Sequence, residues 1–388
     1  MSPDGKIARL LVVDDLEVNR DLLSRRVRRL GHETGFAENG RAALEQLRAS
    51  HWDMVLLDIT MPEMDGYETL RRIKEDPQLN EIPVVMVSAI DEIESVVRCL
   101  ELGADDYLSK PFNAVILQAR IESSLNKKRL ADQKQATLQA LSRELEIGRR
   151  IQQGFLPRQL PLIRNWKIAA LCQPARQVGG DFYDALILPG DRLAIVVADV
   201  CDKGVGAALY MALFRSLLRA MLIQVSETEA TADTLGRGIA SLNDYIAIEH
   251  GQENMFATMF VGILDPDSGQ FSYINAGHEP ALLHKRASGK VERLPPTGPA
   301  VGMMPGLRHT IATAPFLPGD CLLAFTDGVS EALGDTDAQS EAALLDLLVA
   351  GSGEPDALLA SVLSRATAGI EGRSRHDDIT LLSLQRMA

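Results

Sequence analysis

The stretch Asp53-Met54-Val55-Leu56-Leu57-Asp58-Ile59-Thr60-Met61-Pro62-Glu63-Met64-Asp65-Gly66 decides the fold of the first half of the chain. A short apolar run, Met54–Asp58, ends on a carboxylate and breaks into a turn rich in Pro, Asp and Gly, which predicts a buried strand with Asp58 at its carboxyl end. The same grammar recurs on either side. Ile7–Asp14 is an apolar run ending at Asp14-Asp15, and Val84–Ser88 and Ala104–Leu108 are two more, the last followed by Lys110. Helical segments separate them; in Glu17–Leu30 the apolar residues Val18, Leu22, Leu23, Val27 and Leu30 recur at helical spacing. Strands separated by single helices imply right-handed crossovers and a parallel sheet. Chemistry in such sheets lies beyond the carboxyl ends of the strands, so Asp14, Asp15, Asp58, Ser88 and Lys110 are expected in one cleft.

A carboxylate that accepts a phosphoryl group must be brought close to other negative charge, and a hard divalent cation with oxygen ligands solves that problem. Asp14, Asp15, Asp58 and the Thr60 carbonyl would bind Mg²⁺, Lys110 would pair with phosphoryl oxygens, and Ser88 would hydrogen-bond the new phosphate. The simpler alternative is that Asp14-Asp15 caps the following helix. Residues 7 to about 125 resemble the response-regulator receiver (CheY-like) family. The resemblance rests on Asp14-Asp15, Asp58 with Met61-Pro62 and Asp65-Gly66, Ser88-Ala89, and Lys110-Pro111-Phe112 in order. It implies a doubly wound, five-stranded α/β receiver fold, that Asp58 is the phosphoacceptor, that Tyr107 is an aromatic switch, and that an upstream histidine kinase supplies the phosphoryl group.

From Asn113 to about Phe155 the chain has no Pro and is rich in Gln, Lys, Arg, Glu, Ala and Leu. A continuous helix of that length would reach about 60 Å. Leu117, Ile121 and Leu125 form one stripe, and Leu138, Leu141, Leu145 and Phe155 continue at roughly heptad spacing. This suits a two-stranded coiled coil of modest stability or a signalling helix in a homodimer, with a solvated linker helix as the plainer alternative. Pro157 and Pro161 end it. The expected domains are 1–125 (receiver), 126–160 (helical linker) and 161–388.

The last segment reads as runs of strands: Lys167–Leu171, Leu193–Ala198, Ala257–Leu264, Phe271–Asn275, Ala281–His284, His309–Thr313, Cys321–Thr326 and Ile379–Leu384. Helices are grouped apart, near 205–224, 232–248, 339–350 and 355–368, so an α+β layered fold, a β-sandwich flanked by helices, is expected. Acidic motifs punctuate the strand ends: Gly179-Gly180-Asp181-Phe182-Tyr183-Asp184, Ala198-Asp199-Val200-Cys201-Asp202-Lys203-Gly204, Thr326-Asp327-Gly328-Val329-Ser330-Glu331 and His376-Asp377-Asp378-Ile379-Thr380. As a set they resemble the metal-dependent protein phosphatase (PPM) family, in its bacterial SpoIIE/RsbU-type branch, from about Glu144 onward. Carboxylates, carbonyls and water suit a pair of Mn²⁺ or Mg²⁺ ions, which together activate a bridging water. The resemblance implies that Asp181 and Asp199 bind or bridge the metals with the Val200 carbonyl, and that Asp327 and Asp377 complete one shell, Asp378 being the adjacent alternative. One departure is Cys201-Asp202, where the branch commonly has Ser-Gly; Asp202 is read as a solvent-facing loop residue, with weakened anion binding or an extra metal as the alternatives. Asp184 is read as lying behind the ligands or on the surface, and His278 as structural or substrate-adjacent.

The composition bounds the function. At 388 residues, two domains are expected, and the 46% apolar content is that of a globular protein. A net charge of -13 argues against nucleic-acid binding. Cys99, Cys172, Cys201 and Cys321 are scattered, which fits reduced thiols in the cytoplasm. The start, Met-Ser-Pro-Asp-Gly-Lys, does not read as a signal peptide. Ala207–Ile223 is apolar but interrupted by Arg215 and Arg219, so a core helix is expected there, not a membrane span. The expected function is a phosphoserine/phosphothreonine protein phosphatase controlled by Asp58. The resemblance implies as substrate an anti-sigma factor antagonist of the STAS type. The competing class is a catalytically silent scaffold that binds a partner protein.

Overall fold

The computed structural model describes residues 7–89, 93–111, 113–224, 231–334, 336–351, 354–368 and 377–388. Phe112 and His376, both part of motifs quoted above, lie outside the described residues. The chain divides into two compact units, Met1–Leu141 and Ser142–Ala388.

In the first unit, strands β1 (Arg9–Val13), β2 (Glu33–Ala37), β3 (Met54–Asp58), β4 (Val84–Ser88) and β5 (Asp106–Ser109) alternate with helices α1 (Glu17–Arg29), α2 (Gly40–Ala49), α3 (Gly66–Glu75) and α4 (Ile93–Glu101), and α5 (Ala114–Phe155) follows. The sheet is parallel in the order β2-β1-β3-β4-β5. Strand alternation sorts the core. Leu11, Val13, Val55 and Leu57 pack beneath Leu47, Leu70 and Ile73 of α2 and α3, while Leu10, Val12, Met54 and Leu56 face Leu23 and Val27 of α1. That second face also takes Leu117, Ile121 and Leu125, each almost fully buried. The stripe expected to serve a coiled coil is therefore part of this unit's own core. Leu138 and Leu141, farther along α5, are 51% and 52% exposed. The sequence reading placed the last strand at Ala104–Leu108 and named no strand at β2. The residues of β2, Glu-Thr-Gly-Phe-Ala, are exposed or half-buried except Ala37 and lie at a sheet edge, so they carry little apolar signal.

The second unit begins with the end of α5 and continues through β6 (Trp166–Gln173), β7 (Phe182–Leu188), β8 (Arg192–Val200), α6 (Val205–Ile223), α7 (Thr231–Glu249), β9 (Ala257–Leu264), β10 (Gln270–Ala276), β11 (Ala281–Lys285), β12 (Lys290–Leu294), β13 (Ala312–Pro315), β14 (Cys321–Phe325), α8 (Asp327–Leu333), α9 (Asp337–Ala350), α10 (Pro355–Ala368) and β15 (Ile379–Arg386). Two antiparallel five-stranded sheets, ordered β13-β10-β9-β8-β7 and β12-β11-β14-β15-β6, share one core through Ile195, Val197, Phe260 and Phe271 on one side and Leu283, Leu322, Leu382 and Leu384 on the other. Helices α6 and α7 cover the outer face of the first sheet, and α8, α9 and α10 that of the second. The expected layered sandwich is present. Strands β7 and β12 and helix α8 were not read from the sequence, and the strand expected at His309–Thr313 lies at Ala312–Pro315. By length and composition α6 could cross a membrane, but its Ala207, Met211, Phe214, Leu218 and Leu222 are buried in the core against β8 and β9.

Candidate functional site

Each unit gathers carboxylates at the ends of its strands. In the first, β1 and β3 are adjacent, and β2 lies on the far side of β1, so Asp14 and Asp58 emerge where the winding of the sheet reverses. Carboxylate oxygens of Asp14, Asp15 and Asp58 come within 4.8 Å of one another. Lys110 Nζ bridges two of them, at 2.7 Å from Asp14 Oδ2 and 2.8 Å from Asp58 Oδ1. The backbone brings Lys110 there, its N–H donating to the Ser88 carbonyl at 2.6 Å. Ser88 is buried, Thr60 exposed and Tyr107 half-buried. Burial raises the Asp58 carboxyl above its ordinary pKa, and contact with Lys110 opposes the rise. Burial lowers the Lys110 ammonium, but hydrogen bonds to Asp14 and Asp58 outweigh it and the net shift is upward. The helix-cap alternative is partly right: Asp14 Oδ1 accepts from the Leu16 N–H at 2.9 Å and from Asn19 Nδ2 at 3.0 Å. Its other oxygen still faces the cluster. A methyl group at Gly66 would overlap the Asp58 carbonyl oxygen, which explains a glycine there.

In the second unit Asp181 immediately precedes β7, Asp199 is the penultimate residue of β8, Asp327 opens α8, and Asp377-Asp378 leads into β15. Asp181 is buried and its Oδ2 accepts from Thr326 Oγ1 at 2.7 Å. Burial, then Asp199 and Asp378, push its pKa well up. Burial and the charge of Asp327 likewise raise Asp199 to about 7, opposed by a hydrogen bond with Asp181. Asp327 is raised by burial and then by Asp377 and Glu331. Like charges crowd together here, an arrangement that is unfavourable without bound cations. Oxygens of Asp327, Glu331 and Asp377 lie within 4.8 Å of one another.

The adjacent aspartates, unranked by sequence, have different environments. Asp378 is buried and its oxygens accept backbone N–H groups, Ala175 at 2.7 Å and Gly180 at 2.9 Å. It braces the Gly179-Gly180-Asp181 loop from behind, and a methyl at Gly179 would overlap its carboxylate. Asp377 instead joins the cluster and forms an ion pair with Lys203 Nζ at 2.6 Å. On the other side of the loop, Gln152 near the end of α5 is buried. Its Nε2 donates to the Gly179 carbonyl at 2.5 Å, and its Oε1 accepts from the Gly179 N–H at 3.2 Å.

Asp184 is buried and faces α6, where Arg215 approaches at 3.0 Å and Arg219 at 2.8 Å. Asp202 is exposed, its Oδ1 accepting the Lys203 N–H at 2.8 Å. His278 is buried with Nδ1 at 2.8 Å from Thr258 Oγ1, and burial lowers its pKa to about 4. Sequence reasoning quoted Glu331 and Lys203 within motifs but assigned them no role, and it did not single out Gln152. Glu331, one helical turn after Asp327, was recoverable from the i, i+4 spacing on α8. The other two depend on partners remote in sequence.

Both donor sets are oxygen-only and clustered, which fits hard divalent cations such as Mg²⁺ or Mn²⁺. Asp14, Asp15, Asp58 and the Thr60 carbonyl could hold one in the first unit. Asp181, Asp199, the Val200 carbonyl, Asp327 and Asp377, with Glu331, could hold ions in the second.

Comparison with known proteins agrees with this division. The profile of the response regulator receiver domain matches residues 10–122, and that of Stage II sporulation protein E (SpoIIE) matches residues 189–387. Protein IcfG of Synechocystis sp. is 43% identical over 263 residues, covering 63% of this chain and 41% of its own length. Response regulator PleD of Caulobacter vibrioides is 40% identical over 126 residues, covering 32% of this chain and 28% of its own length. The chain thus spans less than half the length of these curated relatives. A crystal structure of the RsbU and RsbW domains of a Mycobacterium tuberculosis protein is similar with a TM-score of 0.50 and 31% identity, covering 60% of this chain and 63% of that one. The SiaA-PP2C domain of Pseudomonas aeruginosa has the same fold, with a TM-score of 0.52 at 22% identity, covering 64% of this chain and 98% of that domain.

Proposed function

The chain belongs to the SpoIIE family, with a receiver domain ahead of its PPM-type phosphatase domain, and from that premise we propose that it is a response regulator whose output is hydrolysis of phosphoserine or phosphothreonine on a protein. The observation that carries the reading is the convergence of Asp181, Asp199, Asp327 and Asp377 from four separate strand and helix ends into one electrostatically coupled group.

Each residue has a task in this scheme. Asp181, Asp199, the Val200 carbonyl, Asp327 and Asp377 would hold the ions. Thr326 orients Asp181, and Asp378 holds the backbone that carries it. Bound Mn²⁺ or Mg²⁺ supplies an activated water and charge neutralisation at the phosphoryl oxygens. No side chain in the second unit need become phosphorylated. In the first unit Asp58 accepts the phosphoryl group from an upstream histidine kinase. Lys110, already 2.8 Å from Asp58, meets the added oxygens, and Ser88 donates to them.

We assign the substrate to the class of small STAS-type anti-sigma factor antagonists, on the family resemblance and the likeness to an RsbU domain. The setting we propose is the cytoplasm, with the chain acting as a homodimer. Residues 1–125 form the receiver, 126–160 the linker and 161–388 the phosphatase. The exposed Leu138 and Leu141 of α5 are the surface through which a helical pair would transmit the state of Asp58.

The decisive assay is Mn²⁺-dependent release of phosphate from an aryl phosphate and from phosphorylated STAS proteins, with and without a phosphoryl donor for Asp58. Activity is expected in the wild type and lost in Asp199→Asn. Absence of turnover with every metal and donor would mean a silent scaffold. Leu138→Pro is expected to leave hydrolysis intact and abolish its dependence on the donor; retained dependence would dispose of relay through α5.

A further inference from the structure

Among the described residues, the cation paired with the acidic group of the second unit is Lys203. Its Nζ lies 2.6 Å from Asp377 Oδ2, and the charges of Glu331 and Asp327 also act on it. The residue sits in the four-residue loop between β8 and α6. Asp202 before it has a left-handed φ of 73°, and Gly204 after it has a φ of 87°. A non-glycine residue in that region is strained, so the loop is held in one shape by its surroundings. Backbone hydrogen bonds fix both ends: Cys201 N–H donates to the Phe256 carbonyl, and Ala208 N–H to the Gly204 carbonyl. The base of the lysine is therefore anchored while its flexible stem, 42% exposed, reaches over the mouth of the cluster.

Where it rests now it competes with a cation for Asp377 Oδ2. A divalent ion taking the oxygens of Asp377 would bring two positive charges next to the ammonium, and at about 4 Å such repulsion amounts to several kcal/mol at the dielectric of a protein surface. The ammonium must move off Asp377. Once an ion holds Asp377 Oδ2, the ammonium is displaced from that oxygen and can bind the anion that the centre attracts. Lysine is a point-charge binder of phosphate, and a rotation of its side chain is all that is required.

We propose that Lys203 is a substrate-binding residue with two partners: it neutralises Asp377 in the metal-free chain and binds a non-bridging phosphoryl oxygen of the substrate once the cations are in place. This rests on the phosphatase reading above and adds to it the group that recognises the phosphate.

The two roles predict opposite shifts in two binding measurements on the full chain. Calorimetric titration with Mn²⁺ alone should show Lys203→Met binding the ion about two- to fivefold more tightly than wild type, because a competing surface cation is gone. Inorganic phosphate added to the Mn²⁺-loaded chain should bind about tenfold more weakly or worse in Lys203→Met, because a charge-assisted hydrogen bond is lost. Lys203→Arg keeps the charge and should retain most of the phosphate affinity, which guards against a folding defect in the first variant. With p-nitrophenyl phosphate the methionine variant should show its loss mainly in KM. Unchanged phosphate affinity, or weaker Mn²⁺ binding in Lys203→Met, would overturn the proposal. If the wild type fails to hydrolyse p-nitrophenyl phosphate at all, the phosphatase reading fails first, a result distinct from either calorimetric outcome.

Discussion

Replacing Gln152 by alanine removes the clamp on the loop that carries Asp181. The wild-type side chain satisfies both backbone groups of Gly179, donating to its carbonyl and accepting from its N–H. Gln152 is buried, so in the variant those two groups lose their partners in a region sheltered from water. An unsatisfied buried polar group costs about 1–3 kcal/mol, and water entering the small cavity left by the side chain would recover part of that. A net loss of about 2–4 kcal/mol is expected. The strain is local, because Gly180 and Asp181 follow directly and Gly180 N–H still donates to Asp378. If it is relieved by the loop leaving its bound-state shape, at the conversion of 1.4 kcal/mol per tenfold, about 2 kcal/mol lowers the affinity for Mn²⁺ by roughly thirtyfold. Titration of the full chain with Mn²⁺ measures this directly. Gln152→Glu is the sharper variant: an ionised carboxylate can still accept from Gly179 N–H but cannot donate to its carbonyl, and two acceptors would face each other. It should bind Mn²⁺ at least as poorly as the alanine variant. Mn²⁺ affinity within twofold of wild type in both variants would refute the reasoning and reduce Gln152 to an anchor for the end of α5.

Two further perturbations test the frame around the site. Asp184→Asn leaves Arg215, itself buried, without a counter-charge; breaking a buried pair from one side costs about 3–5 kcal/mol, so the melting temperature should fall substantially. His278 is held neutral by burial, with its pKa lowered from 6.5 to about 4. The unfolded chain therefore binds more protons than the folded one between those values, and stability from this group, complete above pH 6.5, drains away as pH falls toward 4. The linkage amounts to about 3 kcal/mol over that interval, so the stability advantage of wild type over His278→Gln, measured by urea unfolding, should shrink by that amount between pH 7 and pH 4.

The chain shows which kinds of structural fact a sequence carries openly. The parallel sheet was legible because Leu10–Val13, Met54–Leu57 and Val84–Val87 are buried on both faces and so are uniformly apolar. A strand like β2, at the edge and half exposed, has no such run and went unread. Helix α5 was legible from Asn113 to Phe155 by composition, but the burial of its first apolar stripe was not. Leu117, Ile121 and Leu125 have the same spacing whether they face a second helix or a sheet, and only the tertiary fold decides between them.

The same limit governs the site. Carboxylates at strand ends are visible in sequence as Asp following an apolar run, and Asp14, Asp58, Asp199 and Asp327 were found that way, whereas Asp181, which precedes its strand, was found through the Gly179-Gly180-Asp181 motif. What sequence does not contain is whether a carboxylate's lone pairs are already taken. Asp184 sits in the same motif as Asp181, yet its oxygens are occupied by Arg215 and Arg219 from α6. Asp378 is adjacent to Asp377, yet its oxygens are occupied by the N–H groups of Ala175 and Gly180. Asp377 carries Lys203 on Oδ2 and the N–H of its neighbour Asp378 on Oδ1, so a cation need only displace a half-exposed lysine there, whereas at Asp378 it would compete with backbone donors remote in sequence whose loss would also release the Asp181 loop. On that ground Asp377 is the ligand we propose and Asp378 the brace. Substituting Asp378 should therefore disturb Asp181 indirectly, through its backbone, whereas substituting Asp377 removes a donor and breaks its ion pair with Lys203.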